Sequence, residues 1–318
     1  MKQDAAAVIA AIRATPWAIL PEYLEAIEAI AARALNDDIL KLVAADGHEA
    51  RMEAARMSVA AVGTRLEGSM MSTFRDGTAL IPVVGTIFPR SSMIGASTGG
   101  TALSEVMHDM RVALRSDQVD RIVMLVDSPG GVVSSLGEAA DGIRAAEKPV
   151  TAFVAGMGAS AAYWLASQAR EIVLDRSASV GSIGVVATVS RQEGPDQNGR
   201  RAYEIVSSGA PMKRPDVSTE EGRAAIQADV DAIEEVFVAD VAAGRKVDMD
   251  KVRKQFGQGA MVSASRAVAA GMADRIGTLE SVLAVGTKES GRTRQNNGGR
   301  RALYAAEIET RRRAAERG

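Results

Sequence analysis

Arg121-Ile122-Val123-Met124-Leu125-Val126 runs directly into Asp127-Ser128-Pro129-Gly130-Gly131. In the same way Val150-Thr151-Ala152-Phe153-Val154 leads into Gly156-Met157-Gly158-Ala159-Ser160. Apolar runs with so little polar alternation suit strands covered on both faces, the mark of a parallel sheet carrying helices on each side. Working outward, β-type runs at Ala79–Ile87, Glu171–Leu174, Gly184–Val189 and Tyr203–Val206 alternate with helical stretches at Thr101–Leu114, Ser134–Ala146 and Ser160–Ser167. Strands alternating with helices predict an α/β domain. A long amphipathic helix then opens at the capping signal Ser218-Thr219-Glu220-Glu221, with Ile226, Val230, Ile233 and Phe237 on one face.

The text on either side of this unit differs. Tyr23, Leu24, Ile27, Ile30, Ala31 and Ala34 recur at helical spacing, whereas Met52–Met71 loses periodicity and Gly63, Gly68 and Gly77 read as a linker. The expected division is a helical N-terminal extension and linker over 1–75, an α/β unit over 76–285, and a basic tail over 286–318. That tail carries nine Lys and Arg against four Asp and Glu. Gly291, Asn296, Asn297, Gly298 and Gly299 predict a flexible stretch, with a short helix over Ala302–Arg317.

Composition narrows the chemistry. With 318 residues, 47% hydrophobic and 25% charged, the chain has enough apolar matter for a large core. It holds no Cys, which excludes disulfides, zinc-thiolate sites, iron-sulfur clusters and a cysteine nucleophile. His48 and His108 are the only imidazoles. Aromatic residues are 3% and the net charge is −2, which argues against a nucleic-acid surface built on stacking and positive charge. No apolar run reaches the roughly 18 residues of a membrane span, so a soluble, cytoplasmic protein is expected, and nothing in the sequence calls for a metal or cofactor.

Three constellations can carry chemistry. Gly130 and Gly131 follow a strand end, where backbone amides unobstructed by a Cβ can line an oxyanion hole, although Pro-Gly-Gly is also ordinary turn chemistry. Ser160 lies among small residues before a helix that begins near Ala161; its hydroxyl reads as a nucleophile or as a plain N-cap. The pattern lacks the last glycine of G-x-S-x-G, so it is not the α/β-hydrolase elbow. Lys213, in Ser207-Ser208-Gly209-Ala210-Pro211-Met212-Lys213, reads as solvated charge on its own. Beside a serine with no recognisable histidine partner it gains a second reading, because a lysine taken out of water can accept a serine proton.

In order and spacing, Asp127–Gly131, Gly156–Trp164, Ser179–Val185 and Val262–Gly277 resemble the signal peptide peptidase A family of serine peptidases. The resemblance covers about residues 78–285. It implies a Clp-protease/crotonase-like core of stacked ββα units, a Ser–Lys dyad and a homo-oligomer. Carried over by motif, Ser160 is the nucleophile and Lys213 the general base, and Gly130, Gly131 and Ala161 form the oxyanion hole. Lys213 stands one residue later than the family pattern, after what looks like an insertion at Pro211-Met212. Pro16-Trp17-Ala18-Ile19-Leu20-Pro21-Glu22 and the helix after it resemble the leader of phage and prophage capsid-maturation peptidases, which implies capsid, portal or scaffold proteins as substrates. The alternatives are a signal-peptide-degrading peptidase, a crotonase-type acyl-CoA enzyme and a catalytically silent scaffold.

Overall fold

The computed structural model describes residues 16–20, 62–90, 100–189 and 205–284, together with Tyr23, Leu24, Ile27, Gly194, Pro195, Gly199 and Tyr203. The strands are β1 (Trp17–Ile19), β2 (Thr64–Arg65), β3 (Thr73–Arg75), β4 (Thr78–Val84), β5 (Ile87–Phe88), β6 (Thr101–Ala102), β7 (Arg121–Ser128), β8 (Gly130–Val132), β9 (Val150–Ala159), β10 (Glu171–Leu174), β11 (Ser179–Gly181), β12 (Met261–Ser263) and β13 (Arg275–Ile276). The helices are α1 (Leu103–Arg115), α2 (Leu136–Arg144), α3 (Ala161–Ala166), α4 (Glu220–Arg245), α5 (Met249–Gln255) and α6 (Ala264–Ala270).

This is a mixed α/β fold. Its centre is the parallel set β4–β7–β9, with β10 on the first half of β9 and β11 on its last residues; β2, β3 and β12 extend the sheet antiparallel. A smaller sheet runs β1-β8-β5-β6. The period of two along β7 sorts its side chains between two faces. Ile122, Met124 and Val126 enter the main core, while Val123 and Leu125 join Leu80, Phe153 and Val173 behind the sheet. Both faces are covered, which is why the run carries no polar alternation.

The short α3 is buried at every residue. Trp164 stacks on Phe237 of α4 at a centroid distance of 4.4 Å, and its Nε1 donates to Asp240 Oδ2 at 2.8 Å. The helix before which Ser160 sits is therefore fixed from behind by the second half of α4. Lys148 Nζ donates to the carbonyls of Ala113 and Ser116 at the end of α1, which commits that lysine to a helix cap.

Several sequence expectations change. Residues 62–75 are not a linker: β2 and β3 pair into the main sheet, and Asp76-Gly77, both at positive φ, turn a hairpin into β4. Buried Asp109 holds the same stretch, accepting from the amides of Met70, Met71 and Ser72 and from the Ser72 hydroxyl at 2.6–2.9 Å. Trp17–Ile19, expected in a helical extension, is a strand; Tyr23, Leu24 and Ile27 beyond it are helical. Gly184–Val189 makes only a bridge at Val186, and Tyr203, Ile205 and Val206 form no strand. Ile205 is 95% exposed, and its β-branched run finds no sheet edge. The helical and flexible stretches expected in 1–15, in 28–61 and in the tail 286–318 lie outside the described residues.

Candidate active site

The end of β7 ties three chain segments together. Ser128 Oγ donates to the Gly85 carbonyl at 2.6 Å and accepts from the Gly130 amide at 3.2 Å, while Asp127 Oδ1 accepts from the Met157 amide at 2.9 Å. Gly130 has φ +104, a conformation that disfavours side chains. A Cβ built on it would lie 2.2 Å from the Ala18 carbonyl oxygen and 3.0 Å from Ser160 Cβ. Gly130 thus lets a carbonyl and the serine approach one point. Its amide donates to Ser128, which corrects its expected part as an oxyanion donor.

Ser160 stands between β9 and α3 at φ 53, ψ −117, outside the regions that non-glycine residues favour. Such a conformation costs about 1–3 kcal/mol and persists only where its surroundings enforce it. Here the Ser160 amide donates to the Gly181 carbonyl at 2.7 Å, and its own carbonyl accepts the first helical bond from Trp164 at 2.8 Å. The residue is 1% exposed, and among the described residues Ser160 Oγ is the buried side-chain polar atom with no hydrogen-bond partner. The side chain makes no capping bond, so the plain N-cap reading fails. A buried hydroxyl without a partner is costly unless something else is meant to engage it.

Lys213 is placed differently. It ends a 3₁₀ turn, Pro211–Lys213, with its amide bonded to the Ala210 carbonyl, and it is exposed. The single chain brings Ser160, Gly130, Gly131 and Ala161 together, whereas the Lys213 side chain is exposed to solvent. His108 lies on α1 with Nε2 3.1 Å from the Gly68 carbonyl oxygen; His48 falls outside the described residues.

Sequence reasoning missed the strand that lies beside the serine. β1 pairs antiparallel with β8 in the register Trp17↔Val132, Ala18↔Gly131 and Ile19↔Gly130. On its other edge Trp17 exchanges two backbone bonds with Val186, of 3.0 and 2.8 Å. The available signal was Trp17-Ala18-Ile19-Leu20 set between Pro16 and Pro21, a β-type run closed off from helix on both sides.

A buried serine held in a strained turn at the end of a parallel strand, beside glycines that admit a carbonyl, is an arrangement able to carry acyl-transfer chemistry. Comparison with known proteins agrees: residues 142–292 match Peptidase family S49, and residues 85–177 match Clp protease. Just under half of the chain thus aligns with peptidase family S49, the signal peptide peptidase A family. Among its relatives, capsid assembly protease C of Escherichia phage lambda is 27% identical over 63% of this chain and 46% of its own length. Protease 4 of Salmonella typhi is 28% identical over 65% and 33%, and head-tail preconnector protein GP5 of Enterobacteria phage P21 is 26% identical over 66% and 42%. The chain therefore spans less than half the length of these curated relatives. Among the described residues no helix is long and apolar enough to cross a membrane.

Proposed function

We propose that this chain is a serine endopeptidase with a Ser160–Lys213 dyad on a Clp/crotonase-like core of stacked ββα units, and that it processes phage or prophage head proteins. The observation that carries the reading is the buried, unpartnered Ser160 hydroxyl beside β1, a strand flanked by β8 on one edge and Val186 on the other. An extended peptide laid against β8 presents its carbonyl to the Gly131 and Ala161 amides. Ser160 Oγ attacks, Lys213 takes the proton and passes it to the leaving amine, and water releases the acyl group. Lys213 reaches the serine when its segment is drawn over the cleft as copies of the chain assemble. The names of the phage lambda and phage P21 relatives support head proteins as substrates.

Ser160→Ala and Lys213→Ala should each reduce peptide cleavage by at least about a thousandfold with the fold intact, and Lys213→Arg should not restore it, since arginine stays protonated. Cleavage of co-expressed capsid and portal proteins, read by mass spectrometry against Ser160→Ala, tests the substrate. A fully active Lys213→Ala would overturn the dyad. Acyl-CoA turnover without peptide cleavage would favour a crotonase-type enzyme.

A further inference from the structure

We propose that Pro16–Leu20 is an internal pseudosubstrate, a strand of the chain's own that fills the peptide groove at Ser160 and keeps the site latent until it is displaced. The inference rests on the reading of Ser160 as a nucleophile, and goes beyond it in naming what occupies the groove and what the groove selects.

The segment lies as a central strand, bonded on both edges. Toward β8, the Leu20 amide donates to the Pro129 carbonyl at 3.1 Å, and the Val133 amide donates to the Pro16 carbonyl at 3.4 Å. On the opposite edge, Trp17 and Val186 exchange their bonds. Backbone groups alternate along a strand, so residues 16, 18 and 20 address β8 and residue 17 addresses Val186. The alternation turns the Ala18 carbonyl toward the Gly131 amide, the donor assigned to the oxyanion. That same carbonyl oxygen abuts Gly130, on whose open side Ser160 also packs. Ala18 is 0% exposed, so the nucleophile is sealed beneath it.

The side chains show what the groove accepts. Trp17 and Ile19 are buried with Phe88, Val132, Leu24 and Ile27, and the Trp17 ring meets Phe88 edge-on at 6.2 Å. Only a small residue fits between them at position 18, where the main core closes in. A displacing substrate is thus an extended peptide with a small residue at the Ala18 position and bulky apolar residues on either side. No bond of the segment is broken in this scheme; it competes for the groove.

The absence of cysteine allows a reversible test in the full chain. Directly bridged positions on neighbouring strands suit a disulfide, so Trp17→Cys with Val186→Cys locks the strand when oxidised and, having lost the Trp17 anchor, loosens it when reduced. The readouts are the rate at which a fluorophosphonate labels Ser160 and the cleavage of a short peptide with an apolar–small–apolar centre. We expect labelling and cleavage at least tenfold faster reduced than oxidised, with the wild-type chain near the oxidised rate. Adding a peptide of residues 14–22 should slow the reduced form again. Equal, rapid labelling in both redox states overturns the pseudosubstrate while leaving the nucleophile intact. No labelling of Ser160 in either state overturns both readings. Wild-type chain cut after Ala18 shows a substrate rather than a pseudosubstrate, and overturns latency. Ile19→Asp, which loosens the same strand by one charge, repeats the comparison if the cysteine pair does not fold by circular dichroism, and a labelling rate equal to wild type then counts against the proposal.

Discussion

The smallest unit that decides the site is a missing methyl group. At Gly130 an added Cβ meets the Ala18 carbonyl and Ser160, on a backbone at φ +104. Gly130→Ala should therefore cost about 1–3 kcal/mol in a denaturant melt. Gly137 on α2 is the control, with nothing within 4 Å of a new Cβ. Gly137→Ala should be neutral or stabilise by up to about 1 kcal/mol. Equal effects at the two positions would mean that the crowding at Gly130 is irrelevant. Much at this scale could be read from the sequence. Glycines at a strand end and a serine among small residues are local patterns, and both sit where their motifs put them. The fate of the Gly130 amide could not be read, because its partner is the Ser128 side chain, whose rotamer is set by the distant Gly85 carbonyl.

Between elements, one ion pair fastens the end of the long helix to the sheet. Arg245, the last residue of α4, is 8% exposed at its side chain and clasps Asp274 with both terminal nitrogens at 2.9 and 3.1 Å; its Nε donates to the Gly271 carbonyl. Asp274 also accepts from the Ile172 amide at 2.7 Å, at the start of β10. Burial pushes the Asp274 carboxyl up, but the Arg245 and Ile172 bonds and the nearby guanidinium charges outweigh it and hold the group below its usual range. A depressed carboxyl contributes stability above the unfolded value near ~3.9 and loses it as pH falls through the folded one. Asp274→Asn should cost about 1–2 kcal/mol at pH 7, a figure kept small because the carboxylate is partly exposed. The gap between variant and wild-type urea melts should narrow as pH falls below the ordinary carboxylate range. A gap that persists at low pH would show that charge is not its source. Strands and helices buried on both faces were legible from periodicity, but short edge pieces were not. Ile205 and Val206 look like strand and pair with none among the described residues, whereas Trp17–Ile19 is strand because β8 and Val186 flank it. Partner availability is a tertiary fact, and residues 62–75 teach the same: their glycines mark turns within a sheet that only Asp109 and β4 complete.

For the molecule as a whole, α4 is covered over one half only. Phe237, Val238, Val241 and Ala242 are buried, while Ile226, Val230 and Ile233, on the face expected from the sequence, are half-buried. The helix is 26 residues long, and its fully buried apolar side chains are confined to its second half. The homo-oligomer implied by the family resemblance would cover the first half and bring exposed Lys213 segments near neighbouring copies. Light scattering should give a mass several times 33.3 kDa, and Ile226→Asp with Ile233→Asp should shift it toward the monomer and lower peptide cleavage in parallel. A wild-type monomer at working concentration would contradict this arrangement.

The strand order around the serine also has a history in time. Trp17, Gly131, Ser160 and Val186 meet in one groove, yet they are made in that sequence as the polypeptide leaves the ribosome. Contacts so far apart along the chain form late, because closing long loops costs entropy before pairing repays it. The earliest of these segments must wait through the synthesis of nearly all the sheet before its second edge exists. By the same rule the closer pair, Gly131 and Ser160, meets before Trp17 is held on both edges, so the strand that covers the serine is the last piece set in place.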